Sequence, residues 1–204
     1  MEVKKQPPFI QLAPELSLEW YKDWYLSHNG DPWRFENSPC DTRRKQAILD
    51  IAPKEKYDGI LDLCCGEGMI TRDIRKNFET KELIATDWLD LALEAARRKD
   101  PETDYRLLDI KFEKLDRKFD LVFFTATLNT FNDNLVNVIK NVKAMTGKYL
   151  VVWDRFTWEN RADLLFLELL KLGGFKEIKT EYYEPWTICR AHTPSFISLF
   201  EVEK

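Results

Sequence analysis

Short apolar runs alternate with segments of helical periodicity from about residue 59 onward. The runs predict strands at Gly59–Cys64, Leu83–Thr86, Tyr105–Leu108, Phe119–Thr125 and Tyr149–Trp153. Between most of these runs apolar residues recur every three or four positions, which predicts helices at Met69–Asn77, Leu89–Lys99, Leu135–Met145 and Arg161–Leu172. Because strands that alternate with helices pair in parallel, the pattern predicts an α/β, doubly wound sheet covered on both faces.

Two more strand-like runs follow the last predicted helix. They are Lys176–Tyr183 and Ser195–Val202, and the loop between them contains Pro185 and Pro194. Since no helix separates these runs, we expect them to pair as an antiparallel hairpin. The sequence therefore predicts a seven-stranded, mostly parallel sheet with an antiparallel terminal hairpin.

The first 54 residues are rich in aromatic and turn-forming residues. Helices are predicted at Glu15–Ser27 and Asp41–Ile51, with turn-forming residues at 28–32 between them. No repeat or low-complexity linker divides the chain, so we interpret 1–204 as one domain, with an N-terminal cap or lid over 1–54 and a core over 55–204. The aromatic residues suit either a helix packed on the core or a lid that lines a pocket.

Composition indicates a globular protein. Of the 204 residues 44% are hydrophobic and 32% are charged, and the formal net charge of −4 gives no overall attraction to nucleic acid or anionic lipid. No secretory signal is evident, and no apolar run approaches the roughly 18 residues of a membrane span, so we expect a cytoplasmic protein with no membrane partner. Cys40, Cys64, Cys65 and Cys189 lack the spacing of a zinc site, and no metal is predicted.

The most informative segment is a predicted strand that runs into a glycine-containing turn and then a helix. It reads Asp62-Leu63-Cys64-Cys65-Gly66-Glu67-Gly68. Gly66 and Gly68 allow the backbone to approach a ligand closely, and the N-terminus of the helix beyond them favours an anionic group. Taken alone, the two glycines are equally consistent with a tight strand-to-helix connection.

Acidic residues also end the next two predicted strands. Asp87 is placed to accept both hydroxyls of a ribose, and Trp88 offers a flat surface beside an adenine. Asp109, followed by Ile110, is suited to accept a hydrogen bond from an exocyclic amine. Because ligands of doubly wound folds bind at the carboxyl edge of the sheet, these residues predict a nucleoside site.

Residues 62–68 resemble the acidic-x-Gly-x-Gly-x-Gly pattern of class I S-adenosylmethionine-dependent methyltransferases, with Cys64 in place of the first glycine. Phe-Asp-Leu-Val at 119–122 and Gly-Gly-Phe at 173–175 also fit this family, and the resemblance covers about residues 55–204. The Gly-x-Gly-x-x-Gly spacing of a dehydrogenase is absent from the turn. The resemblance implies a Rossmann-like fold, S-adenosylmethionine as cofactor and a cofactor site that includes Asp62, Cys64, Cys65, Gly66, Gly68, Asp87, Trp88, Asp109, Ile110 and Thr125.

A narrower resemblance lies at residues 31–44. This stretch contains Asp31-Pro32-Trp33, followed by Ser38 and Arg44. It is similar to a segment found in the nodulation protein S family and in the small-molecule relatives of that family. The members of the nodulation protein S family are N-methyltransferases that act on the free amine of a chitooligosaccharide. This resemblance implies that Trp33, Ser38 and Arg44 help to cover the cofactor. It also implies a small-molecule acceptor, with N-methylation of an amino sugar or related amine favoured over O-methylation.

Candidates for acid–base chemistry are few. His28 and His192 are the chain's two histidines, and Asp154 follows the fifth predicted strand at the edge where ligands bind. Each has a structural alternative, such as packing, solvent exposure or helix capping. Two other functions stay open: a nucleic-acid methyltransferase, which is disfavoured by the missing Asn-Pro-Pro-Tyr-type motif, and a cofactor-binding module without catalysis. The sequence leaves the oligomeric state open.

Overall fold

The computed structural model describes residues 17–33, 39–128, 131, 134–155, 162–185, 187 and 194–203. Its helices are α1 (Leu18–Ser27), α2 (Pro39–Ile51), α3 (Met69–Asn77), α4 (Asp90–Lys99), α5 (Leu135–Met145) and α6 (Ala162–Leu172). Its strands are β1 (Ile60–Leu63), β2 (Leu83–Asp87), β3 (Asp104–Leu107), β4 (Phe119–Thr125), β5 (Thr146–Arg155), β6 (Phe175–Tyr183) and β7 (Ser195–Val202).

The seven strands form one sheet in the order β3-β2-β1-β4-β5-β7-β6. Strands β1 to β5 pair with one another in parallel, whereas β7 runs antiparallel to both β5 and β6. This arrangement confirms the predicted α/β fold with its antiparallel terminal hairpin. The order reverses between β1 and β4, and such a switch point is where doubly wound sheets hold ligands.

Alternate residues of the central strands supply the two faces of the sheet. In β4, Val122 and Phe124 pack in one apolar cluster with residues of α5 and α6. Leu121 and Phe123 pack in a second cluster with residues of α2 and α3. Because side chains of a strand point alternately to opposite faces, this near-continuous apolar run is buried on both sides, as expected for a parallel strand.

The N-terminal helix begins at a side-chain cap, and the turn that follows it lies close to α4. The Ser17 side chain accepts a hydrogen bond from the Trp20 backbone N–H at 3.1 Å and begins α1. After α1 the chain turns at Gly30, whose φ is +78° and where an added Cβ would lie 3.2 Å from Ala95 Cβ on α4. The segment thus contacts α4 of the core, and its role as a lid stays a prediction.

Boundaries differ from the sequence predictions by a few residues. Strand β3 lies one residue earlier than predicted, so Asp109 is two residues beyond its end. Within the described ranges, none of the helices combines the length and the apolar character needed to cross a membrane.

Candidate active site

A cavity of about 450 Å³ opens at the carboxyl ends of the central strands. Its size falls within the range of small-molecule sites. One wall, which we call the β2 side, comes from the β1–α3 turn, β2 and the segment after β3, and includes Cys64, Cys65, Gly66, Glu67, Asp87, Trp88, Asp109, Ile110 and Lys111. The opposite wall, the β5 side, includes Arg44, Thr125, Thr127, Phe131, Trp153 and Arg155.

The turn between β1 and α3 requires left-handed backbone. Cys64, Gly66 and Gly68 have φ values of +58°, +56° and +74°. A Cβ added to Gly68 would lie 2.6 Å from the Tyr105 hydroxyl oxygen, which is closer than packed atoms approach. Cys64 occupies the position where the resembled pattern has its first glycine, and its positive φ explains that pattern, because glycine adopts this conformation without strain.

Asp87 is the carboxylate around which the β2 side is organised. It is 7% exposed, and its two oxygens accept the backbone N–H groups of Gly66 at 2.9 Å and Leu89 at 3.0 Å. Burial raises the pKa of Asp87 to about 6. A carboxylate has about four lone-pair positions, so Asp87 keeps capacity for ribose hydroxyls while it fixes the turn.

Asp62 lies behind the turn, outside the cavity wall. It is fully buried and accepts a hydrogen bond from the Thr71 hydroxyl at 2.5 Å, which ties β1 to α3. Burial raises the pKa of Asp62 to about 7. Asp62 therefore holds the turn from behind the cavity wall, and its role in cofactor binding stays a prediction.

The predicted adenine region also contains Lys111, which the sequence did not identify as a site residue. The Lys111 ammonium lies 4.5 Å from the centre of the Trp88 ring, and Tyr21 meets Trp88 edge-on at 5.6 Å. Asp109 accepts the Lys111 backbone N–H at 3.0 Å, while Ile110 is buried beside it. Trp88, Asp109 and Ile110 thus come together on the β2 side, as the nucleoside hypothesis requires.

Helix α1 reaches the cavity through a buried tyrosine. The Tyr25 hydroxyl donates to Glu67 Oε2 at 3.1 Å, and both residues are 4% exposed. Burial raises the pKa of both groups. Trp20, Tyr21 and Trp33 line the same opening, so the aromatic segment both packs on the core and covers the cavity. The Tyr25–Glu67 contact joins two segments that are distant in sequence. The cluster of aromatic residues in the N-terminal segment is the sequence feature that pointed toward such a contact.

An arginine from α2 lies on the β5 side. Arg44 is 3% exposed, its guanidinium is 4.7 Å from the centre of the Trp153 ring, and it forms an ion pair with the buried Asp41 at 2.8 Å. Thr125, the last residue of β4, stands on the same wall. Arg44 and Trp33, which the narrower resemblance pointed to, both line the cavity.

Asp154 is turned away from the cavity toward the backbone after β4. Its carboxylate is 5% exposed and accepts the N–H groups of Leu128 and Arg155, each at 2.7 Å. The loop that it holds contains Ala126 at a φ of +64°, and Ala126 and Thr127 line the cavity. This geometry gives Asp154 the position of a support for the cavity wall, in contrast to the direct acid–base role expected from sequence.

Two other predicted residues lie outside the described residues, and one lies away from the cavity. Ser38 and His192 are outside the described residues. His28 follows α1, where its Nδ1 is 2.9 Å from the Trp24 carbonyl oxygen, and it does not line the cavity. Burial raises the pKa of the Cys64 and Cys65 thiols, so both are neutral near pH 7.

Known proteins share the central part of this sequence. A family described as a methyltransferase domain matches residues 60–148. The malonyl-[acyl-carrier protein] O-methyltransferase of Acetivibrio thermocellus is 30% identical over 121 residues, 58% of this chain and 42% of that protein. The trans-aconitate 2-methyltransferase of Variovorax paradoxus is 30% identical over 94 residues, 46% of this chain and 36% of that protein. The chain thus spans less than half the length of either relative.

The structure resembles a solved methyltransferase over most of its length. The N-methyltransferase NodS from Bradyrhizobium japonicum, in complex with S-adenosyl-L-homocysteine, superposes with a TM-score of 0.75 at 16% identity, covering 89% of this chain and 98% of NodS. At that identity the similarity concerns the fold. The Asp87 carboxylate and the positive-φ turn fit the nucleoside of S-adenosylmethionine, which agrees with the predicted cofactor. The match to the methyltransferase domain covers residues 60–148, and the fold is similar to that of NodS, as the resemblance to class I S-adenosylmethionine-dependent methyltransferases predicts.

Proposed function

We propose that this chain transfers a methyl group from S-adenosylmethionine to a small molecule. The observation that carries the proposal is that the β2 side, which contains Asp87, and the β5 side face each other across one cavity. When bound, the donor supplies an electrophilic methyl group on a sulfonium. The protein's part is to hold donor and acceptor in line and to exclude water.

The residues of the β2 side support donor binding. Asp87 is positioned to accept hydrogen bonds from ribose hydroxyls, and the backbone of Cys64 and Gly66 lets the ligand approach the turn. Trp88 and Ile110 offer apolar surface for the adenine, beside Asp109. Arg44, buried on the opposite wall, suits the carboxylate of the donor's methionine part.

The dimensions of the cavity favour a small acceptor. Trp20, Tyr21 and Trp33 line the cavity, and a cavity of about 450 Å³ suits a metabolite better than a polymer. The net charge of −4 gives no general attraction to nucleic acid. Exclusion of nucleic acid and a cytoplasmic location stay predictions.

The preference for an amine acceptor also stays a prediction. It rests on the resemblance of residues 31–44 to the nodulation protein S family. The names of the two relatives concern an acyl group on a carrier protein and trans-aconitate, neither of which is an amine. The choice of acceptor atom therefore depends on the chemistry of the β5 side.

Calorimetry with S-adenosylhomocysteine tests donor binding. We expect a dissociation constant in the micromolar range, which corresponds to a binding free energy of about −8 kcal/mol. A folded protein that binds none would contradict the proposal. Transfer of labelled methyl groups is then measured against amines, amino sugars, phenols, carboxylic acids, RNA and DNA. Labelling of nucleic acid alone would replace the small-molecule acceptor, and binding without any transfer would favour a non-catalytic cofactor-binding module.

A further inference from the structure

The two sides of the cavity differ in the sign of their net charge. The acidic residues that line it are Glu67, Asp87 and Asp109, all on the β2 side, which also contains one lysine, Lys111. The basic residues of the β5 side are Arg44 and Arg155. Among the residues that the structure describes, no acidic side chain and no histidine lines the β5 side.

Neighbouring carboxylates affect the two arginines differently. Asp41, fully buried, pairs with Arg44 at 2.8 Å and offsets its charge. Asp154 is adjacent to Arg155 in sequence and attracts its charge, but the Asp154 oxygens accept hydrogen bonds from backbone N–H groups behind the wall. The Arg155 side chain is exposed at the cavity mouth. Arg155 is therefore the charge that the β5 side presents to an entering molecule.

We infer that the methyl acceptor is a carboxylic acid bound by Arg155, and that the product is its methyl ester. This inference rests on the proposed function. A guanidinium binds a carboxylate through paired hydrogen bonds, whereas it repels the ammonium form of an amine. The buried aromatic rings of Phe131 and Trp153 provide apolar surface for the rest of the acceptor.

The reaction needs no base on this wall. A carboxylate oxygen forms a bond to the methyl carbon while the carbon–sulfur bond breaks, and the electron pair of that bond stays on sulfur. The ester and the neutral thioether are formed without release of a proton. An amine or alcohol acceptor would have to lose a proton, which is the usual task of a histidine or carboxylate.

A matched set of acceptors tests the inference. Hexanoate, 3-phenylpropionate and glutarate are each compared with the corresponding amide and primary amine, with labelled S-adenosylmethionine as donor. We expect label only on the acids, in a form that mild alkali releases as methanol. In protein saturated with S-adenosylhomocysteine, calorimetry should show the best acid binding at least tenfold more tightly than its amide and its amine.

Variants of Arg155 assign the effect to one side chain. Arg155→Ala should weaken acid binding by roughly 10- to 100-fold, the range for a hydrogen bond to a charged group, and Arg155→Lys should recover part of it. Binding of S-adenosylhomocysteine should stay within about twofold of the unsubstituted protein. Arg106→Ala is the control, because Arg106 pairs with Asp104 on β3, away from the cavity, and it should change neither affinity.

The outcomes separate this inference from the proposed function. Absence of S-adenosylhomocysteine binding defeats the proposed function itself. If that binding is intact and the acids bind no better than their amides and amines, or if Arg155→Ala leaves acid binding unchanged, the carboxylate acceptor is wrong. Label on the amines in an alkali-stable form would also overturn it and would support the amine preference.

Discussion

The β2 side and the β5 side of the cavity are built in different ways. The β2 side depends on the left-handed turn between β1 and α3, whose Gly66 N–H donates a hydrogen bond to the Asp87 carboxylate at the end of β2. The β5 side joins α2, the loop after β4 and the end of β5, which are distant in sequence. Local backbone geometry therefore fixes the first wall, whereas tertiary packing assembles the second. Substitutions on the two sides should separate donor affinity from acceptor chemistry.

The largest expected effect is at Gly68, where the β2 side has no room for a side chain. Gly68→Ala places a Cβ at a φ of +74°, 2.6 Å from the Tyr105 hydroxyl oxygen. Left-handed strain of 1–2 kcal/mol and overpacking together should lower the free energy of unfolding by about 2–4 kcal/mol. Urea denaturation measures the loss.

Tyr105→Phe provides the control for that clash. The Tyr105 hydroxyl is buried with no hydrogen-bond partner among the described residues, so Tyr105→Phe alone should cost little. Combined with Gly68→Ala, it should recover the part of the loss that comes from the hydroxyl contact. If Gly68→Ala unfolds within about 0.5 kcal/mol of the unsubstituted protein, the turn is not constrained as described.

The next effect concerns donor affinity at Asp87. Asp87→Asn removes a charged acceptor, and we expect S-adenosylhomocysteine to bind more weakly by about 1.5–3 kcal/mol. Acceptor binding on the β5 side should change much less. Calorimetry on both ligands makes the comparison, and equal losses on both would show that the two walls are not independent.

The raised pKa of Asp87 gives this affinity a pH dependence. Ribose hydroxyls favour the ionised carboxylate, so its pKa falls below about 6 when the ligand binds. Affinity should therefore be constant above about pH 7 and should weaken as pH falls below 6, by up to tenfold per unit. Asp87→Asn should remove this dependence. A pH-independent affinity in the unsubstituted protein would contradict the assignment of the ribose to Asp87.

A third effect should appear on the β5 side alone. Asp154→Asn replaces a carboxylate that accepts the Leu128 and Arg155 N–H groups, so the loop around Ala126 should lose its fixed position. We expect kcat/KM for the acceptor to fall by roughly 10- to 100-fold, the range for bonds to a charged group. S-adenosylhomocysteine affinity should hold within about twofold. An equal loss of donor affinity would show a general structural defect.

The smallest expected effect is at the contact between α1 and the β1–α3 turn. Tyr25→Phe removes one hydrogen bond to Glu67, and donor binding should weaken by about 0.5–1.5 kcal/mol. Glu67→Gln keeps an oxygen that can accept the hydrogen bond from the Tyr25 hydroxyl, so this variant should weaken donor binding less. Hydrogen exchange in α1 should slow when S-adenosylhomocysteine binds. Unchanged exchange would show that α1 is a packed helix that the ligand does not order.

The strand and helix pattern could be predicted from sequence because period-2 and period-3.6 signals are local. For example, the strand predicted at Phe119–Thr125 has the same bounds as β4 in the structure. The same locality explains why the β2 side could be predicted, since the turn from Asp62 to Gly68 and the acidic residue at the end of β2 are visible in the linear sequence.

The rest depends on side-chain directions that the sequence does not contain. Asp62 and Asp154 were both expected in the site, and the structure turns both carboxylates onto groups behind the cavity wall. The ring contact between Arg44 and Trp153 joins residues more than a hundred positions apart. Such contacts form only when the whole sheet has formed, so no local sequence pattern predicts them.

The position of β7 makes synthesis a demanding stage for this protein. Although β7 is the last strand to be made, it lies inside the sheet and pairs with both β5 and β6. Ribosomes add about 5–20 residues per second, so β5 waits roughly 2–9 s with an unpaired edge while residues 156–202 are made. An apolar strand with a free edge invites association with other nascent chains. This strand order therefore leaves one edge of β5 without its partner strand until β7 has been made.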